Sequence, residues 1–132
     1  MRLHHVAVES RSEENADRFY KGILGLRRIK TSLLHKELSR EIFDITRECQ
    51  IILYGNENLA VEVFVLGLDW EKSASFEHIC IGVEDREGLM TRCRAEGLKV
   101  KEIPKGDSLL TFIADFDGNL FEIKEIKKGG RL

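Results

Sequence analysis

His5 and His78 lie 73 residues apart, and each opens the same kind of segment. The first reads Leu3-His-His-Val-Ala-Val-Glu9 and the second Phe76-Glu-His-Ile-Cys-Ile-Gly82, with His third in both. Two Glu recur in the same manner. Asn58-Leu-Ala-Val-Glu62-Val is echoed by Asn119-Leu-Phe-Glu122-Ile, and the two Glu are 60 residues apart. Two neutral imidazoles and two carboxylates suit a divalent transition metal, because the ligand charges cancel that of the ion. Four such ligands leave one or two positions of a six-coordinate ion open to water or substrate oxygens. A carbonyl bound there is polarised, and the neighbouring C–H becomes acidic. Glu62 or Glu122, loosened from the ion, could then act as general base. A single His on a strand more often makes a structural hydrogen bond. The recurrence of both residue types at matching places favours the metal.

Side chains alternate faces along a strand. The alternation sets His5 and Ala7 against Val6 and Val8, and His78, Cys80 and Gly82 against Ile79, Ile81 and Val83. Glu62 opposes Val61 and Val63, and Glu122 opposes Phe121 and Ile123. A curled sheet whose first and last strands are neighbours brings His and Glu together on its concave face. On this alternation His4 points away from His5 and is structural or edge-exposed.

The elements between repeat as well. Ser10 and Glu13 form a possible capping box, with Ser12 as the competing cap. Ala16, Phe19, Tyr20, Ile23 and Leu24 then follow the stripe of a helix with one buried face. The second helix starts at Asp85 and carries a thinner apolar face of Leu89, Met90 and Cys93. Gly25 and Gly97, 72 residues apart, are the helix stops, since glycine accepts a left-handed backbone without steric cost. Strand-like runs follow at 26–34, 49–53 and 60–66, and again at 98–103, 109–114 and 120–126. Asp115-Phe-Asp-Gly-Asn119 is a strong turn signal between the last two. The pattern predicts an α+β chain: one domain over 1–132 made of two tandem βαβββ modules, 1–67 and 76–127, with a frayed tail at 128–132. One stretch breaks the repeat. Residues 35–48 (HKELSREIFDITRE) are extra in the first copy and allow a strand extension, a short helix or a loop at a site mouth.

The chain has 132 residues, 21 Lys and Arg against 23 Asp and Glu, and a net charge of −2. That length can bury a core without disulfides. The near balance of charge gives no support to a nucleic-acid or membrane-surface partner. No apolar run has the ~20 residues a membrane span needs, and no signal-peptide pattern opens the chain. Cys49, Cys80 and Cys93 form no CxxC pair, so reduced thiols in a cytoplasmic protein are expected.

His5-Val-Ala-Val, followed by Phe19-Tyr20-Lys-Gly-Ile-Leu24-Gly25-Leu26, resembles the opening of the vicinal oxygen chelate superfamily. His78-Ile-Cys-Ile-Gly-Val-Glu-Asp85 and Asp115-Phe-Asp-Gly-Asn-Leu-Phe-Glu122 resemble its second module. The resemblance spans about residues 3–126. It implies two βαβββ modules forming a cupped mixed sheet around one divalent metal ion (Ni, Co, Zn, Mn or Fe), often in a homodimer, with a small-molecule substrate. It places His5, Glu62, His78 and Glu122 as ligands, with Glu62 and Glu122 as the catalytic carboxylates. A His-Glu-His-Glu set is similar to bacterial glyoxalase I, which implies a lyase or isomerase that chelates vicinal oxygens and moves a proton on the adjacent carbon. Two alternatives stand beside it. One is an extradiol-type dioxygenase with a His-His-Glu Fe(II) site. The other is a non-catalytic antibiotic-binding protein of the bleomycin-resistance type. Glu9 departs from the glyoxalase pattern: it stands where that enzyme has an Arg for the glutathione carboxylate, and a carboxylate there repels such a substrate.

Cys80, Arg40, His35 and Tyr54 are the candidate substrate contacts, with Arg47 and Lys105 as further anion-binding candidates. Trp70, in the stretch joining the copies, would cover the module junction or a dimer contact.

Overall fold

A computed structural model describes residues 1–129. Of the expected tail at 128–132, residues 130–132 lie outside the described residues, and the Gly129 amide donates to Glu84 Oε1 at 2.9 Å. The chain divides into two compact units, Met1–Glu71 and Lys72–Leu132.

The first unit runs β1 (Val6–Ser10), α1 (Glu13–Ala16) with a π-helical continuation (Asp17–Ile23), β2 (Arg27–Leu34), α2 (Lys36–Phe43), β3 (Cys49–Gly55) and β4 (Ala60–Val65). Its sheet has the order β1-β4-β3-β2, with β1 parallel to β4 and the other pairs antiparallel. The second unit runs β5 (Ile79–Val83), α3 (Arg86–Ala95), β6 (Val100–Lys105), β7 (Ser108–Ala114) and β8 (Leu120–Glu125). Its order, β5-β8-β7-β6, is the same, again with one parallel pair. Both units are therefore βαβββ, with α2 added to the first. Both also end alike: Leu66 N donates to Ser10 O at 2.8 Å, and Ile126 N to Val83 O at 2.9 Å.

Ser12 is the N-cap of α1, because its hydroxyl accepts from Asn15 N at 3.1 Å, whereas Ser10 is fully buried and bonds Ser12 instead. The helix widens after Ala16, and Leu24 N reaches back five residues to Phe19 O at 2.9 Å. Gly25 and Gly97 do hold left-handed backbones, at φ 71° and 77°. The extra residues 35–48 contain the short helix α2, closed by Asp44 at φ 57°.

One face of each sheet is covered by its helix. In the first unit Ala16, Phe19, Tyr20 and Ile23 are buried together with Val8, Ile52, Tyr54, Val61 and Val63. Tyr20 stacks on Tyr54 at 5.5 Å between ring centroids. Each large apolar side chain removed from water here contributes about 1.5–3 kcal/mol. In the second unit Leu89, Met90 and Cys93 of α3 are buried together with Ile113, Phe121 and Ile123. The opposite faces carry His5, Ala7 and Glu9, and His78 and Cys80, all exposed. Among the described residues no helix is long and apolar enough to cross a membrane.

Candidate metal centre

His5 and His78 stand one residue before their strands rather than inside them, since β1 starts at Val6 and β5 at Ile79. Strand register then sets the glutamates. In the parallel ladders Ala7 pairs with Glu62 and Cys80 with Glu122. Each Glu is therefore beside the residue two places after its His. The outcome is the same in both units. His5 Nε2 lies 3.7 Å from Glu62 Oε1, and His78 Nε2 lies 3.7 Å from Glu122 Oε2.

The imidazoles are oriented through their other nitrogen. His78 Nδ1 is 2.9 Å from the Phe76 carbonyl oxygen. A carbonyl only accepts, so Nδ1 carries a proton, and in the neutral ring Nε2 is then the lone-pair nitrogen. The ring also meets Phe112 edge-on at 6.1 Å. His5 Nδ1 is 2.8 Å from His4 Nδ1, with the two rings edge to face at 5.1 Å. His4 is thus a neighbour of His5 and not its opposite, because both residues precede β1, where strand alternation does not apply. With His5 as donor in that bond, its Nε2 too is left as a lone pair. A histidine whose second nitrogen is tied in this way is set up as a metal ligand.

The donor set fits a divalent ion pairwise. Two ligands ~2.1 Å from a common ion stand ~3.0–3.4 Å apart for octahedral or tetrahedral angles, close to the spacing of each pair. No group of three or more His, Cys, Asp or Glu that could hold a metal ion occurs among the described residues. Each unit presents one nitrogen and one carboxylate.

The remaining candidates separate. Cys80 is exposed beside Glu122, and burial, followed by that carboxylate, pushes its thiol up. Tyr54 is not a substrate contact. It pairs with Val61 on the helix-covered face and is fully buried, and its hydroxyl donates to Asp17 Oδ1 at 2.6 Å. His35 Nδ1 is 3.7 Å from Glu48 Oε2 with both side chains mostly in solvent. Arg40 is exposed in a polar cleft with Lys36, Glu37 and Glu41. Lys105 is exposed at the end of β6.

Sequence reading passed over the surroundings of the first pair. A cavity of about 350 Å³ opens on the same sheet face, lined by Ala7 and Glu9 of β1, Phe64 of β4, Phe43 of α2 and, beyond the strands, Arg47 and Trp70. Trp70 therefore lines a cavity of the first unit. The signals for it were the break in the repeat at 35–48 and the lone Trp.

The family model described as "Glyoxalase/Bleomycin resistance protein/Dioxygenase superfamily" matches residues 2–123. No curated protein sequence matches the chain significantly. Among solved structures, the chain is similar to a variant of the fosfomycin resistance protein FosX from Listeria monocytogenes, complexed with Mn(II) and 1S,2S-dihydroxypropylphosphonic acid. The TM-score is 0.70 at 20% identity, over 98% of this chain and 92% of that one. FosX from Mesorhizobium loti gives 0.65 at 21%, over 92% and 89%. A glyoxalase family protein from Enterococcus faecalis gives 0.68 at 17%, over 92% and 95%. These likenesses are of fold.

Proposed function

Since the chain belongs to the Glyoxalase/Bleomycin resistance protein/Dioxygenase superfamily, we propose that it is a metal-dependent enzyme of glyoxalase type. Its ligands are His5, Glu62, His78 and Glu122, and its substrate is a small molecule with two vicinal oxygens. The observation that supports this most is the duplicated pair. In each unit a His whose Nδ1 is engaged in a hydrogen bond has its Nε2 3.7 Å from a Glu oxygen. Membership alone does not select four ligands. The presence of Glu in both units favours the set with two carboxylates over a His-His-Glu triad.

A divalent ion held by these groups would polarise the substrate oxygens and acidify the C–H between them. The chain's own part is proton transfer. Glu62 or Glu122 takes the proton from that carbon and returns it to the neighbouring atom, so that the product is an isomer and no electrons are gained or lost. Mn(II), present in the Listeria FosX structure, is one candidate for the ion, beside Ni, Co, Zn and Fe.

The test is elemental analysis of protein purified without chelator, together with His5→Ala, Glu62→Gln, His78→Ala and Glu122→Gln. About one divalent ion per chain is expected, with affinity lowered well beyond the ~10–100-fold typical of residues that only support a ligand. Hydrogen–deuterium exchange at the α-carbon of 2-hydroxyketones, followed by NMR, should appear with metal and vanish in Glu62→Gln, Glu122→Gln or both. Full metal content in all four variants would refute the assignment.

A further inference from the structure

The cavity beside the first His–Glu pair is built by parts that the second unit does not have. Its floor is the exposed face of β1 and β4: Ala7 pairs with Glu62, and the next pair on that face is Glu9 with Phe64. One wall is α2, the element that breaks the repeat. Phe43 projects from it and meets Phe64 edge-on at 5.6 Å, while Ser39, one turn earlier, is buried at 3% exposure. Trp70 closes another side, and its backbone N–H donates a hydrogen bond to the Gly67 carbonyl oxygen at 3.2 Å. At the matching ladder step in the second unit Gly82 pairs with Lys124, so a glycine and an ammonium stand where the cavity has Glu9 and Phe64.

Three aromatic rings, Phe43, Phe64 and Trp70, together with the aliphatic Leu34, Ile45 and Leu66, select an apolar occupant. The volume, about 350 Å³, lies at the lower end of the ~300–1,000 Å³ of small-molecule sites. The lining includes one carboxylate, Glu9, and one guanidinium, Arg47. Burial pushes the nearby Cys49 thiol up, and of the two charged groups acting on it Arg47 pulls down while Glu9 pushes up. The two charges thus oppose each other at the cavity, and Arg47 also lies 3.9 Å from Asp69. Neither a net anion nor a net cation is favoured there. Distance ties the cavity to the His–Glu pair. Glu62 and Phe64 are two residues apart on one strand face, about 7 Å at the rise of a strand.

We propose that this cavity binds an uncharged apolar group of aromatic-ring size, carried by the substrate about 7 Å from the atoms held at His5 and Glu62. That the bearer is a substrate rests on the function proposed above, whereas the cavity's preference for such a group does not.

Trp70 is the chain's one tryptophan and reports on the cavity directly. Benzyl alcohol and 2-phenylethanol, with benzoate, benzylamine and glycerol as contrasts, are titrated into metal-free protein. Trp70 emission and calorimetry are the readouts. The two neutral aromatics should bind and shift the emission, with the charged analogues at least ten-fold weaker and glycerol silent. Ala7→Phe, which fills the floor from an exposed position, should abolish the signal. Phe43→Ala should weaken it about ten-fold while circular dichroism stays native. An unmoved emission, equal binding of benzoate or benzylamine, or undiminished binding in Ala7→Phe would overturn the proposal. Loss of metal binding with aromatic binding intact would refute only the metal assignment. Metal binding without aromatic binding would refute only the cavity.

Discussion

Lys124 Nζ lies 3.5 Å from Glu122 Oε1. The corresponding residue of the first module, two places beyond Glu62, is Phe64. The two halves of the repeat therefore share a His–Glu pair and differ in the residue two places beyond the glutamate. In one half that residue sets an ammonium against the glutamate, and in the other it is an aromatic ring that lines a cavity.

The first prediction concerns that ammonium. A cation at Glu122 competes with a divalent ion for the same oxygens. Lys124→Met should tighten metal binding by up to about five-fold, the scale of a partly exposed ion pair. The gain should shrink as salt rises. Competition against a chromophoric chelator at two ionic strengths measures both effects. Unchanged or weaker binding in the variant would show that Lys124 does not compete.

The second concerns the turn into β8. Asp115 is 4% exposed, and its Oδ1 accepts from the amides of Asp117 and Asn119, both at 2.9 Å. Its Oδ2 accepts from Asn119 Nδ2 at 2.8 Å. The Asp-x-Asp-Gly-Asn motif thus acts as a brace that delivers the chain into the strand carrying Glu122. Asp115→Ala leaves buried donors without their acceptor and should cost about 2–4 kcal/mol. Asp115→Asn, which keeps one oxygen acceptor, should cost less. Urea unfolding of both variants checks the order.

The third concerns Tyr54. Burial, then the hydrogen bond to Asp17 and that residue's charge, push its pKa far above the ordinary 10. The folded state therefore holds the phenol proton more tightly than the unfolded chain does. The resulting stability is complete below pH 10, the unfolded value, and is lost as pH rises beyond it. Unfolding midpoints should fall above that pH in the native protein and fall less steeply in Tyr54→Phe. At neutral pH the variant should be weaker by about 1.5–3 kcal/mol, the scale of a hydrogen bond to a charged acceptor. Equal alkaline slopes would assign that loss of stability to other groups.

Much of the fold was legible from local chemistry. The stripe of Ala16, Phe19, Tyr20, Ile23 and Leu24 foretold a helix with one buried face; the first four are buried and Leu24 is half-buried. Gly25 and Gly97 marked the helix ends because the backbone there needs positive φ. The place of Tyr54, a candidate substrate contact by sequence, was not legible for a different reason. Alternation says that Leu53 and Tyr54 face opposite ways, and only pairing with β4 says which face the helix covers: Leu53 is set against Glu62 and Tyr54 against Val61. Residues 35–48 were open for a related reason. A short amphipathic stretch takes its conformation from what it packs on, and its Phe43 packs on Phe64, 21 residues away.

The sequence by itself determined the duplication: two βαβββ units, each with one His and one Glu at matching places, because periodicity and turn chemistry are local. Tertiary structure decided how those residues are used. Long-range register set Ala7 beside Glu62 and Cys80 beside Glu122. Hydrogen bonds at Nδ1 turned each Nε2 toward its carboxylate. The packing of α2 gave the first half-site an apolar cavity for which the repeat has no counterpart signal. Strand partners and helix docking join residues distant in the chain, and no local pattern encodes which of those contacts forms.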